Sequence, residues 1–218
     1  MTRPIPTTSE ELLMAYAAGR LNTMESLLAA TLLSVNAAAR QQLALYEAQG
    51  GHVLDEEEPS DLCHSCLESV LQRIDDQPVR AVPTPCPDMP GVPEPLCTLL
   101  RECMTPDSLC WKAVSPGMEC LPLTVDCAGP QQLFLMKLAP HESAPSHRHD
   151  GTEITLVLEG YYTDTLGRHE AGSMCIITDN RIAHSPRAGD KGCLCLVLTA
   201  QPLRYRVIRQ RFFTIFRR

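Results

Sequence analysis

No stretch of the 218 residues approaches the ~20 consecutive apolar residues of a helical membrane span. The opening "MTRPIPTTSEELL" lacks the continuous apolar segment of a secretory leader. Together these absences lead us to expect a cytoplasmic protein with no membrane contact. Positive charge is also short: the formal net charge is −7. A surface that grips phosphates needs an excess of Lys and Arg, so direct nucleic-acid binding is not expected. An acidic chain instead suits a basic, DNA-binding protein partner. Disulfide framework spacing is missing as well. The 11 cysteines are odd in number and scattered, and several lie inside apolar runs, which reads as free thiols in a reducing compartment. There is no internal repeat.

What is present divides into two halves. Hydrophobic residues make up 44 % of the chain, enough for a real core. Residues 8–76 carry helical spacing. "TSEELLMAYAAG" opens with Thr8 and has Glu11 three residues on, a capping-box pattern, and Gly19 is placed to end that helix. A second helix is predicted from about Thr23 to Ser34. A third runs from about Asn36 to Gln49, where Gly50-Gly51 is read as its stop and "HVLDEEEPS" as an acidic loop. A fourth starts at Asp61, with Leu62, Cys66, Val70 and Ile74 on one stripe.

Residues 77–95 then hold seven prolines and read as a stiff, partly extended linker. Beyond it, "QQLFLMKLAP", "EITLVLEGYYTD", "GSMCIITD", "CLCLVLTAQPL" and "YRVIRQ" are β-rich segments split by Gly, Pro and Asp. Short antiparallel strands at this spacing suggest a small barrel or sandwich. The expected organisation is α+β in two domains: a bundle of about four helices over 1–76, a linker over 77–95, and a β-barrel over 96–218.

Chemistry concentrates in "SHRHDGTEITLVLEG". His147 and His149 are two apart, so on a strand both point to one face. Glu153 follows across a probable "DGT" turn, and His184 in "DNRIAHSP" supplies a fourth donor near a strand end. Three neutral imidazoles and one carboxylate suit one divalent transition ion, zinc first, with Fe, Mn or Ni as alternatives. His141 and His169 do not fit that geometry and read as exposed loop residues. No catalytic residue stands out beyond this set, and Tyr161 and Tyr162 are explained by a barrel wall.

The spacing H-x-H-x3-E-x6-G, followed by "EAGSMCIITDNRIAHSP", resembles the two metal motifs of cupin barrels. His141 stands where the first motif usually opens with glycine, and Thr178 where the second usually has proline. Neither position is a ligand. With "LLMAYAAGRL" and "LLAATLLS" ahead of it, the whole chain resembles a ChrR-type anti-sigma factor. That resemblance implies a helical domain that grips an ECF-type sigma factor and a cupin that senses an oxidative or small-molecule signal.

The resemblance also implies an N-terminal zinc held by a His near the start and an H-x3-C-x2-C element. The matching positions here are Thr7, Leu32, Asn36 and Ala39, so no N-terminal zinc is expected. A structural zinc contributes on the order of 10 kcal/mol to small domains. Apolar packing by Leu32, Leu33, Val35, Ala37 and Ala38, with Asn36 capping the third helix, is expected in its place.

Cys63 and Cys66 have C-x-x-C spacing but no second pair, so Cys66 reads as a core position and Cys63 as half-exposed. Cys193 and Cys195 share a strand face and read as small apolar fillers. The acidic run Asp55 to Glu58 is usually only a solvated loop, although it could meet a basic sigma surface. The tail "RVIRQRFFTIFRR" reads as a final strand with a charged end or as a segment docked on the helices. The rival to the regulator is a cupin enzyme of dioxygenase or isomerase type, using an open metal position without sigma binding. A third reading keeps the two-domain layout and has lost the sigma partner.

Overall fold

The computed structural model describes residues 5–61, 63, 65–77, 89, 91–103, 110–123, 129–179, 181–202, 204–205 and 213–214. Helix α1 spans Ser9–Ala17. Thr8 caps it, its hydroxyl accepting from the Glu11 N–H at 3.1 Å. The Glu11 carboxylate returns to Thr7, not Thr8, accepting from both its N–H and its hydroxyl. Gly19, at φ +62, lets Arg20 N–H reach the Ala15 carbonyl and Gly19 N–H the Tyr16 carbonyl, which closes the helix end.

Helix α2 spans Thr23–Val35. Asn22 and Glu25 form the complete capping box there, a signal the sequence carries in N-x-x-E. Helix α3 spans Ala37–Asp55, and Asn36 caps it as expected. Arg40 reaches back to the Leu33 carbonyl at 2.6 Å, satisfying the end of α2.

Three helical expectations are corrected. Helix α3 runs through Gly50 and Gly51 to Asp55, so part of the supposed acidic loop is helical. Two glycines cost about 1 kcal/mol each relative to alanine, but they stop a helix only where a left-handed turn is taken, and neither has positive φ. Helix α4 spans Cys66–Asp75, starting later than Asp61; Leu62 and His64 lie outside the described residues. It buries no residue, so Cys66 is no core position, and Cys63 is exposed. Finally, a fifth helix, α5 (Glu94–Cys103), begins inside the proline-rich stretch. Pro95 sits in its first turn, where a missing N–H costs nothing. Leu96 and Leu100 are buried in one apolar cluster with Leu28 and Leu32 of α2. The linker reading otherwise falls mostly on residues outside those described, as do Cys86 and Cys127.

Strands β1 (Lys112–Ser115), β2 (Met118–Pro122), β3 (Gln132–Leu138), β5 (Glu153–Asp164), β6 (Gly167–Glu170), β7 (Met174–Ile177) and β8 (Arg187–Thr199) form one antiparallel sheet. Its order is β1-β2-β3-β8-β5-β6, with β7 on the first half of β5. A smaller sheet joins β4 (His147–Arg148), β9 (Arg204–Tyr205) and β10 (Phe213–Thr214). Arg204 and Tyr205, just ahead of the basic tail, thus pair with β4, and Phe213–Thr214 within the tail pair with β9; residues 206–212 and 215–218 lie outside the described residues.

The strands β3, β5 and β8 are buried on both faces over most of their length, which is why "LFLM", "ITLVL" and "CLCLVLT" do not alternate with polar residues. One face turns into the barrel: Met118, Cys120, Phe134, Met136, Val157, Tyr162, Cys193, Cys195 and Val197. The other meets the helices: Leu133, Leu135, Ile154, Leu156, Leu194, Leu196 and Leu198 share a cluster with Leu28, Ala29 and Leu32 of α2. Each fully buried leucine there contributes about 1.5–3 kcal/mol. Cys193 and Cys195 are therefore packed fillers of the barrel interior.

Because Gly50 and Gly51 are helical and a Cβ would meet nothing within 4 Å, Gly50→Ala/Gly51→Ala should strengthen α3 by roughly 1 kcal/mol per site. Slower amide exchange over residues 45–55 would report it; lost helicity at 222 nm would mean the glycines terminate α3 after all.

Candidate metal centre

The local backbone explains why the four donors meet. His147 and His184 are a bridge pair, each N–H bonded to the other's carbonyl at 3.1 Å, so their rings leave the same face. Gly151, at φ +94, turns the chain between His149 and β5; a Cβ there would lie 2.9 Å from the Ala200 methyl. Glu153 is the first residue of β5 on the inward face, and Thr155, two residues on, donates its hydroxyl to Glu153 Oε1 at 3.1 Å.

All four side chains are buried, and their ligand atoms lie within 4.8 Å of one another. His149 Nε2 is 2.7 Å from His184 Nε2, which is 3.1 Å from His147 Nε2. His149 Nδ1 lies 2.9 Å from Glu153 Oε2, yet neither atom has an aligned hydrogen bond.

The outer ring atoms settle the tautomers. His147 Nδ1 faces the Pro145 carbonyl at 2.8 Å, and a carbonyl only accepts, so Nδ1 donates. His184 Nδ1 donates likewise to Asp164 Oδ2 at 3.0 Å. When both rings are neutral, their inward Nε2 atoms carry lone pairs turned toward each other in a water-poor interior. A proton or a cation between them removes that repulsion. With a buried carboxylate alongside, the donor set fits a divalent transition ion.

The electrostatics agree. Burial pushes His147 down to about 4, against the pull of Glu153. Burial pushes the Glu153 carboxyl up, but contact with His149 and the surrounding imidazoles outweighs it and holds the group at about 2. At neutral pH this gives a neutral His147 beside an ionised Glu153, the protonation a metal ligand needs.

Sequence reasoning missed Asp164. It closes β5 eleven residues beyond Glu153, and nothing in the spacing announces that it backs His184. Its side chain is fully buried, and His169 Nε2 lies 3.4 Å from its other oxygen. His169 is thus corrected: it sits on β6, largely covered, its ring stacked on Tyr162 at 4.7 Å. His141 is exposed in a turn, at φ +63. Tyr161 lies outside the cluster, under the Arg168 guanidinium.

At the N-terminal positions the residues do not fit a metal. Leu32 and Ala39 are buried apolar groups, Thr7 is bonded to Glu11, and Asn36 caps α3. The packing expected there falls to Leu32, Leu33, Val35 and Ala39, because Ala37 and Ala38 are exposed. The His147 cluster is the one such group of metal-capable donors among the described residues.

Comparison with known proteins adds three findings. The family described as the ChrR cupin-like domain matches residues 101–202. The anti-sigma-E factor ChrR of Cereibacter sphaeroides is 33 % identical over 199 residues, covering 90 % of each chain. A crystal structure of Rhodobacter sphaeroides SigE in complex with the anti-sigma ChrR superposes with a TM-score of 0.70 at 30 % identity, over 90 % of this chain and 99 % of that one.

Two outcomes are expected. Asp164→Asn should weaken metal affinity 10–100-fold by removing the carboxylate behind His184, read by competition with a chromophoric chelator. In metal-free protein, His147 (ordinarily 6.5) and Glu153 (ordinarily 4.5) both have depressed folded values. The unfolded chain then binds more protons, so thermal stability should fall as pH drops below 6.5, and further below 4.5. A flat profile from pH 7 to 4 would contradict the buried arrangement.

Proposed function

Because the chain belongs to the ChrR family of anti-sigma factors, we propose that it sequesters an ECF-type sigma factor through its helices and ties that grip to the state of its cupin. The observation that carries this reading is the reach of the likeness: 90 % of the chain, helices and barrel together. An enzyme sharing only the barrel would not match in the helices, so we read the chain as a regulator and not an enzyme.

The helical half offers a surface suited to such a partner. Leu45, Val53 and Leu54 of α3 and Leu67, Val70, Leu71 and Ile74 of α4 are each at least 51 % exposed. α4 has a strongly apolar side and buries none of it within this chain. An amphipathic helix in that condition is suited to lie in a partner's groove. Glu56 to Glu58, which follow α3 in sequence, are exposed and acidic, which favours a basic partner.

In this reading His147, His149, Glu153 and His184 hold one divalent ion, zinc first. Bound there, the ion would supply charge neutralisation among the inward lone pairs. Pro145 and Asp164 orient two of the rings; Thr155 fixes Glu153. A change at this cluster, by oxidation or by a small molecule, would be the signal that loosens the helices. The proposal places the chain in the cytoplasm with its partner, and no helix among the described residues is long and apolar enough to cross a membrane.

Metal analysis of protein purified without chelator should give about one ion per chain; two would contradict the reading of the N-terminal positions. Co-purification with a cognate ECF sigma factor should yield a complex, and its absence at micromolar concentration would count against the regulator. Val70→Asp/Ile74→Asp should weaken that complex at least tenfold while the melting temperature stays within about 2 °C, since exposed substitutions cost little.

A further inference from the structure

Each end of α2 is closed by an asparagine, and each asparagine is used twice. Asn22 Oδ1 accepts from the Glu25 N–H at 2.9 Å, while its Nδ2 donates to Gln131 Oε1 at 2.8 Å. Asn36 Oδ1 accepts from the Ala39 N–H at 2.9 Å, while its Nδ2 donates to the Gly172 carbonyl at 2.8 Å. Gln131 immediately precedes β3, and Gly172 lies in the turn between β6 and β7. Between the two caps, Leu28, Ala29 and Leu32 are buried in the cluster they share with the outer face of β5 and β8. Capping alone does not ask for an amide, because Asp and Ser cap about as well as Asn. Among side chains this short, Asn alone joins a carbonyl acceptor to an N–H donor.

We propose that Asn22 and Asn36 are positioning residues that strap α2 along the outer wall of the barrel, and that this contact is where the barrel governs the helices. The regulatory half rests on the reading above that the helices hold a sigma factor; the straps themselves do not.

Asn36 is the more constrained of the two. Its N–H donates to the Leu32 carbonyl and its own carbonyl accepts from Arg40 N–H, so both backbone groups and both side-chain atoms are bonded. Gly172 stands at φ +83, and a Cβ there would come within 3.2 Å of the Val35 carbonyl oxygen. The turn and the α2–α3 junction are therefore in direct backbone contact. Gln131 can rotate its amide to answer a carboxylate at position 22, whereas the carbonyl of Gly172 cannot.

The test uses the full chain with Asn36→Asp, Asn36→Ser and Asn36→Ala. Asp and Ser keep the cap oxygen and remove the donor; Ala removes both. Hydrogen exchange by mass spectrometry over residues 28–35 and 171–174 should rise about tenfold in all three, in both segments. Wild-type exchange in Asp and Ser, with a rise in Ala alone, would reduce Asn36 to a local helix cap and overturn the proposal. Should the Asp variant fail to fold, Ser gives the same reading without a carboxylate against the Gly172 oxygen. No partner protein enters this measurement, so failed sigma binding would leave it intact. With a bound sigma factor, Asn36→Asp should shift affinity about fivefold or more; an unchanged affinity would overturn the regulatory half.

Discussion

Two imidazole nitrogens 3.1 Å apart and screened from water, each ring's outer nitrogen already engaged, turn lone pairs toward each other when both rings are neutral. His147 and His184 are held that way from behind, by the Pro145 carbonyl and the Asp164 carboxylate. The cost of that arrangement is borne by the barrel, in which β4 and β5 carry His147 and Glu153 and a bridge pair sets His184 opposite His147. With the four donors already gathered, little ordering would be left for a bound ion to impose. Altering any one of the four side chains would disturb its neighbours in the cluster.

The middle of the sheet, in β3, β5 and β8, is covered on both faces. β5 turns Glu153 to the inside and β8 a sulfur-containing packing, and both turn leucine or isoleucine to the cluster shared with α2 and α5 on the outside. A wall covered on both sides cannot shift for one neighbour without disturbing the other, since close-packed interiors transmit strain. The helical half is thus a second layer on the barrel's sheet.

Much of the site was legible in the sequence. H-x-H-x3-E at a strand start reflects a two-residue period and a short turn, both local, and His184 followed from its place after a glycine-led strand. Asp164 was illegible because its role arises only when β5 passes beside the bridge pair. His169 was misread for the same reason. In the helices the local signals worked where they acted alone, as at Thr8, Gly19 and Asn36. They failed where a weak propensity was taken for a stop, as at Gly50-Gly51, and where seven prolines masked a helix start. The stripe on α4 was read correctly as apolar and wrongly as interior, because periodicity identifies a face but not what covers it.

The alternation along β5 carries a last implication. Glu153, Thr155 and Val157 belong to one side and Ile154, Leu156 and Leu158 to the other. A slip of one residue would exchange the two sets completely. A misfolded copy therefore loses the gathered donor cluster and its helical cladding in the same event.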